Sequence, residues 1–220
     1  MVAQLPSKSL TSYSLGGEIF SAITHGVAAL CGLAVLVVGI CAACMQDLGW
    51  IAISAMTIYG ATAFLGFTIS TIYHSLAKNR GRRVMRVLDH CSIYFIIAGT
   101  YTPFALIAIG GWVGWAIFGT NWALCALGTT LTAIDRKKFK HFAFVCYLTM
   151  GWIAVFAIVP IVKALGLGWS FWFLLGGGVA YTVGAFVYKK KGKYIHGIWH
   201  LFTLAGLLLQ FLSILFLMLD

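Results

Sequence analysis

His196 and His200 stand four residues apart in a strongly apolar C-terminal segment, and a helix sets such a pair on one face about 6 Å apart. Two imidazoles so placed can grip one metal ion. His74 closes an earlier apolar segment, in Ser70-Thr71-Ile72-Tyr73-His74, and Asp89 opens the next. Ionisable groups in hydrocarbon are costly and need a reason. Three neutral imidazoles with a fourth position left to water describe a catalytic zinc centre, whereas a structural site usually has four protein ligands. Imidazole also suits iron, copper and nickel, but the cysteines lie outside this layer and offer copper no soft ligand, so zinc is the first candidate.

Asp89 is placed to orient a histidine or to accept a proton from activated water. Ser70 lies one helical turn from His74 on the same face, where its hydroxyl can donate to that water or to a developing oxyanion. A second polar group, Glu18, Ser21, Thr24 and His25, opens the first apolar segment. Glu18 there either favours the positive end of its own helix or joins His25 in a polar network around the metal layer. His90 follows Asp89 by one residue and is expected to point about 100° away, outside the layer. His141 sits among basic residues and marks the interface.

The elements that hold these residues follow from composition. The chain has 220 residues, 61% apolar and 9% charged, with mean hydropathy +0.97, far from a soluble domain. Crossing a bilayer takes about 20 apolar residues. Seven such spans are predicted, at 19–44, 49–70 or slightly beyond, 88–109, 111–133, 142–162, 167–187 and 194–218. The expectation is an all-α integral membrane protein, a seven-transmembrane helix bundle. Residues 1–17 form a cytoplasmic segment and 18–220 one transmembrane domain, in the cell's inner (plasma) membrane.

Of the 15 Lys and Arg, all but Lys163 fall on one side of these spans: Lys8 before the first, and clusters at 78–86, 136–140 and 189–193. The positive-inside rule therefore puts the N-terminus in the cytoplasm and the C-terminus outside. A net charge of +10 carried in short loops beside membrane spans fits anionic lipid headgroups, not nucleic acid. All six cysteines (Cys31, Cys41, Cys44, Cys91, Cys125, Cys146) lie within spans, against a disulfide framework. Cys41 and Cys44 share a face but have no further ligand nearby, and read as packing residues. The first 17 residues lack a short apolar core with a cleavage site, so the first span is expected to be a retained anchor.

The longest connection is expected around Lys78 to Arg86, and Gly110-Gly111 and Gln46-Asp47-Leu48 are expected outer turns. Pro103 should kink the third span, with Thr100 and Thr102 satisfying freed carbonyls, and Pro160 should act similarly in the fifth. Trp50, Trp112, Trp115, Trp152 and Trp169 are expected as an outer aromatic belt.

Together these motifs resemble those of the haemolysin III proteins within the progestin and adipoQ receptor (PAQR) family. The first family motif, an acidic residue then Asn, Thr and His, is similar to Glu18, Ser21, Thr24 and His25, with Ser21 where the family usually has Asn. Ser70, His74 and Asp89 match the second motif, the Gly99 to Pro103 run is also similar, and His196 and His200 match the third. The resemblance implies a seven-helix bundle with its N-terminus inside and zinc held by His74, His196 and His200. Because alkaline ceramidases share this pattern, it also implies hydrolysis of a lipid amide near the inner leaflet. Two other readings stand beside a zinc-dependent hydrolase: a non-enzymatic sensor or regulator of lipid homeostasis with a structural zinc, and a cytolytic pore. The pore reading is the weaker, since little polar surface lies deeper in the spans.

Overall fold

The structure is a computed structural model and describes residues 14–76, 79–190 and 192–220. Lys8, Lys78, Lys191 and most of the segment 1–17 lie outside the described residues.

Among the described residues, seven helices are long and apolar enough to cross a membrane: α1 (Leu15–Met45), α2 (Gly49–Ser75), α3 (Arg80–Ile109), α4 (Gly111–Asp135), α5 (Lys140–Leu165), α6 (Trp169–Tyr188) and α7 (Ile195–Leu219). No strand occurs among the described residues. In hydrocarbon only a helix satisfies all its own backbone groups without water, which is why each apolar run takes this form. Large side chains such as Ile23, Leu30, Leu65, Val145 and Phe156 point outward along the bundle, as a lipid-facing surface requires.

The third helix departs most from expectation. It begins at Arg80, not near Leu88, because the Asn79 side chain accepts a hydrogen bond from Arg82 N at 2.9 Å and caps the first turn. Most of the presumed basic loop is therefore the first two turns of α3. At its other end Pro103 is followed by a π-helical stretch, Phe104–Ile109, closed by Gly110 N bonding Ala105 O at 2.9 Å. Lacking an N–H, Pro103 cannot bond the carbonyl four residues back, and the ladder resumes with a wider turn. Thr100 and Thr102 bond the carbonyls of Ile96 and Ala98, not that of Gly99. In α5, a 3₁₀ stretch, Ile153–Ala157, precedes Pro160. Gly110 and Gly111 form the outer turn with φ of 62° and 53°, values that glycine adopts without strain.

Around the ring α1 packs along α2, α2 along α3, α3 on α4, α4 on α5, α6 along α7, and α7 back on α1. At Gly32 a Cβ would come within 2.7 Å of Phe64 N, so the α1–α2 approach depends on a residue without one. The main core, including Val35, Met56, Tyr59, Phe67, Leu207 and Ile214, joins α1, α2 and α7. By contrast α5 touches α6 sparsely, and a cavity of about 650 Å³ lies where α3, α5, α6 and α7 face one another.

The described basic residues other than Lys163 fall at or beside the same ends of the helices, and Lys163 is near the opposite end of α5. That end is cytoplasmic by the positive-inside rule. Trp50, Trp112, Trp115 and Trp169 are exposed near the outer ends. Trp152 departs from the belt: it sits midway along α5, lines the cavity, and donates to Thr182 Oγ1 at 3.1 Å. The six cysteines are free thiols.

Candidate metal centre and its cavity

Three elements converge at the cytoplasmic end. The Ser14 side chain accepts from Gly17 N at 3.2 Å and starts α1, so Glu18, Ser21 and His25 follow at helical spacing along its buried face. The last two turns of α2 carry Ser70 and His74, and the first turns of α7 carry His196 and His200.

One ligand atom from each of His74, His196 and His200 lies within 4.8 Å of the other two. His74 Nε2 and His196 Nε2 are 3.1 Å apart. His74 and His200 are buried and His196 is partly so. The ring contacts agree, with centroids 5.0 Å apart for His74 and His196, 5.3 Å for His74 and His200, and 4.6 Å for His196 and His200.

Neighbouring acceptors determine which nitrogens face this cluster. His74 Nδ1 lies 2.7 Å from Glu18 Oε2, and a carboxylate can only accept, so a proton sits on Nδ1 and Nε2 is the nitrogen turned toward His196. His200 Nδ1 lies 3.3 Å from the carbonyl of Ser21 and 3.1 Å from Thr24 Oγ1. A proton on that Nδ1 leaves His200 Nε2, which is buried and has no protein hydrogen-bond partner, as a bare lone pair. Such outer partners, carboxylate and backbone carbonyl, are those that orient metal-binding histidines. The orphaned nitrogen and the three-imidazole donor set fit a divalent metal of the zinc type, whose bonds to nitrogen run to about 2.0–2.1 Å.

The carboxylate that meets His74 is thus Glu18, which the sequence places either at the start of its own helix or in a polar network with His25. Glu18 is joined on its other oxygen by Arg82, whose Nη1 also donates to Leu76 O at 2.7 Å, just past the end of α2. Reading Arg82 as a loop cation missed this; the capping Asn79 three residues earlier was the available signal. His25 stacks on His200 with centroids 3.4 Å apart and planes at 15°, and neither of its nitrogens has a protein hydrogen-bond partner. The first polar group therefore packs against the three-histidine cluster rather than only starting α1.

Ser70 is buried, its hydroxyl has no protein hydrogen-bond partner, and it lines the cavity together with His25, Asp89 and His196. Asp89 Oδ2 is 3.7 Å from His90 Nδ1. His90 lines the same cavity, contrary to the expectation from its helical offset, because the cavity is broad enough to meet two successive residues of α3. Away from the polar layer the walls are largely apolar and aromatic, including Phe67, Ile93, Ile96, Leu148 and Trp199.

The haemolysin-III related family matches residues 13–211. Hemolysin-3 of Bacillus cereus is 38% identical over 200 residues, covering 90% of each chain. The hemolysin-3 homolog of Bacillus subtilis (strain 168) is 35% identical over 206 residues, 93% of this chain and 95% of that one. More distantly, the human monocyte to macrophage differentiation factor is 28% identical over 183 residues, 77% of this chain and 72% of its own. With seven membrane-crossing helices and similarity running through nearly all of them, the chain belongs to the haemolysin-III related family, as a multi-pass plasma-membrane protein of the haemolysin III/PAQR type.

Proposed function

We propose that the protein is a zinc-dependent hydrolase of lipid amide bonds acting near the inner leaflet. One observation carries this reading: His74, His196 and His200 bring three ligand atoms within 4.8 Å beside a largely apolar cavity of about 650 Å³, which His196 also lines. That volume suits one ligand of moderate size. Zinc held there supplies a Lewis acid and lowers the pKa of water toward neutrality.

The chain's own residues supply the rest. Glu18 holds His74 in the tautomer that presents Nε2, and the Ser21 carbonyl does the same for His200. Asp89, on the cavity wall, accepts a proton from water and returns it to the leaving amine. Ser70 Oγ donates to the amide oxygen as charge develops there. The apolar walls bind the acyl chain and keep bulk water from the reacting carbonyl.

The test is metal content by mass spectrometry with turnover of N-acyl lipids, on wild type beside a His74→Ala, His196→Ala, His200→Ala triple variant. The expected result is about one zinc per chain and hydrolysis in wild type, and neither in a variant that remains helical. Hydrolysis unchanged after zinc removal sinks the proposal.

A second reading is favoured by the Glu18–Arg82 ion pair with its bond to Leu76 O. These contacts make the cluster a clasp between α1, α2, α3 and α7, as a non-enzymatic sensor of membrane lipid with structural zinc would use. Under that reading zinc is present without turnover, His74→Ala lowers thermal stability, and Asp89→Asn changes little.

A further inference from the structure

Cations gather at the cytoplasmic end of the cavity. Arg136 follows α4, Lys140 and His141 begin α5, and Lys189 follows α6; all four line the cavity with His90 and Asp89. Arg136 Nη1 lies 3.4 Å from His90 Nε2. The Lys189 ammonium sits 3.5 Å over the ring of Phe144, itself a lining residue.

Topology alone does not account for this arrangement. The positive-inside rule requires basic residues at this end of the bundle, but it is indifferent to whether they face a cavity. Arg83, Lys137, Lys138, Lys190 and Lys193 satisfy the rule without lining it. Arg136, Lys140 and Lys189 come from three different helix ends and meet at one mouth, while the walls beyond them are largely apolar. Asp89 brings one negative charge to the same region and has His90 beside it, so the mouth stays net positive. An occupant must combine an anionic end with a long apolar body.

We infer that the cavity takes a single-chain lipid carrying a phosphate group, with the phosphate seated among Arg136, Lys140 and Lys189 and the chain running between α3, α5 and α6. A phosphate monoester carries about −1.5 to −2 charges and three acceptor oxygens, enough to meet three cations at once, and a guanidinium can bind two of those oxygens together. A carboxylate brings one charge and two oxygens. Resting on the hydrolase reading, the substrate class becomes N-acyl lipids with a phosphorylated head, whose amide lies next to Asp89 and His196 when the phosphate is at the mouth.

The test measures binding to the full chain in a nonionic detergent, through the change in intrinsic tryptophan fluorescence to which the cavity-lining Trp152 and Trp199 contribute, with hexadecyl phosphate, hexadecanol, hexadecanoate and inorganic phosphate as probes. Hexadecyl phosphate is expected to bind at least ten-fold more tightly than hexadecanol or hexadecanoate. Arg136→Gln with Lys189→Gln should remove that difference, and the charge-keeping pair Arg136→Lys with Lys189→Arg should retain it. Equal binding of hexadecyl phosphate and hexadecanol by wild type, or a preference that survives neutralisation, overturns the inference. Equally tight hexadecanoate overturns the choice of phosphate, and displacement by inorganic phosphate at matched concentration overturns the choice of a lipid. The preference should also persist in the triple histidine variant. Preference without turnover in wild type rejects the hydrolase alone, whereas turnover without preference rejects the phosphate site alone.

Discussion

Glu18 Oε2 meets His74 Nδ1 at 2.7 Å, and this contact ties the first helix to the imidazole of the second that faces the three-histidine cluster. The carboxylate cannot donate, so it dictates where the His74 proton sits.

Glu18→Gln is expected to weaken metal binding by about 10- to 100-fold, the usual cost of losing the group that orients a metal-binding histidine. It also leaves the buried guanidinium of Arg82 without its carboxylate, at a cost of about 3–5 kcal/mol in stability. Adding Arg82→Met should recover much of the stability and none of the metal affinity. Thermal unfolding beside a zinc competition titration separates the two effects.

Ser70→Ala should keep about one zinc per chain while lowering kcat by about 10²-fold, as removal of an oxyanion donor does. Its hydroxyl makes no protein hydrogen bond that the substitution would break, so stability should change little. A matched fall in zinc content would place Ser70 in the metal site's support and not in the reaction.

Gly197→Ala tests whether α7 must lie close against α1. Gly197 stands between the two clustered histidines of α7, and a Cβ there would overlap the ring of Phe20. Overpacking of this kind costs about 1–3 kcal/mol. Separating α7 from α1 should also reduce zinc occupancy, read by mass spectrometry on the purified variant.

Purified protein in liposomes is expected to cause no dye leakage. The spans are apolar outward and close-packed around α1, α2 and α7, and the cationic mouth leads to apolar walls. Leakage proportional to protein would favour the cytolytic reading.

Much of this arrangement is legible in the sequence. Seven apolar runs and one-sided charge suffice for the bundle, since a bilayer leaves the backbone few alternatives. Helical spacing pairs His196 with His200, and the resemblance to the haemolysin III motifs adds His74. What escaped was lateral contact. Nothing in spacing says whether Glu18 or Asp89 reaches His74, because that depends on how α1 and α3 rotate against α2. Arg82 was hidden because a cation two residues inside a helix and a cation in a loop look alike until the cap at Asn79 is recognised. His90 was set aside on a 100° offset that holds for a narrow target and fails for a broad cavity.

The ring closure of α7 on α1 bears on how the protein is made. His74 and His196 are 122 residues apart in the chain yet touch, and α7 is synthesised after α1 to α6. A nascent chain halted before Ile195 carries the Glu18–His74 pair but only one of the three clustered histidines. Metal capture by all three histidines would therefore wait for insertion of α7, and a loaded site would certify that α1 through α7 have reached the bilayer.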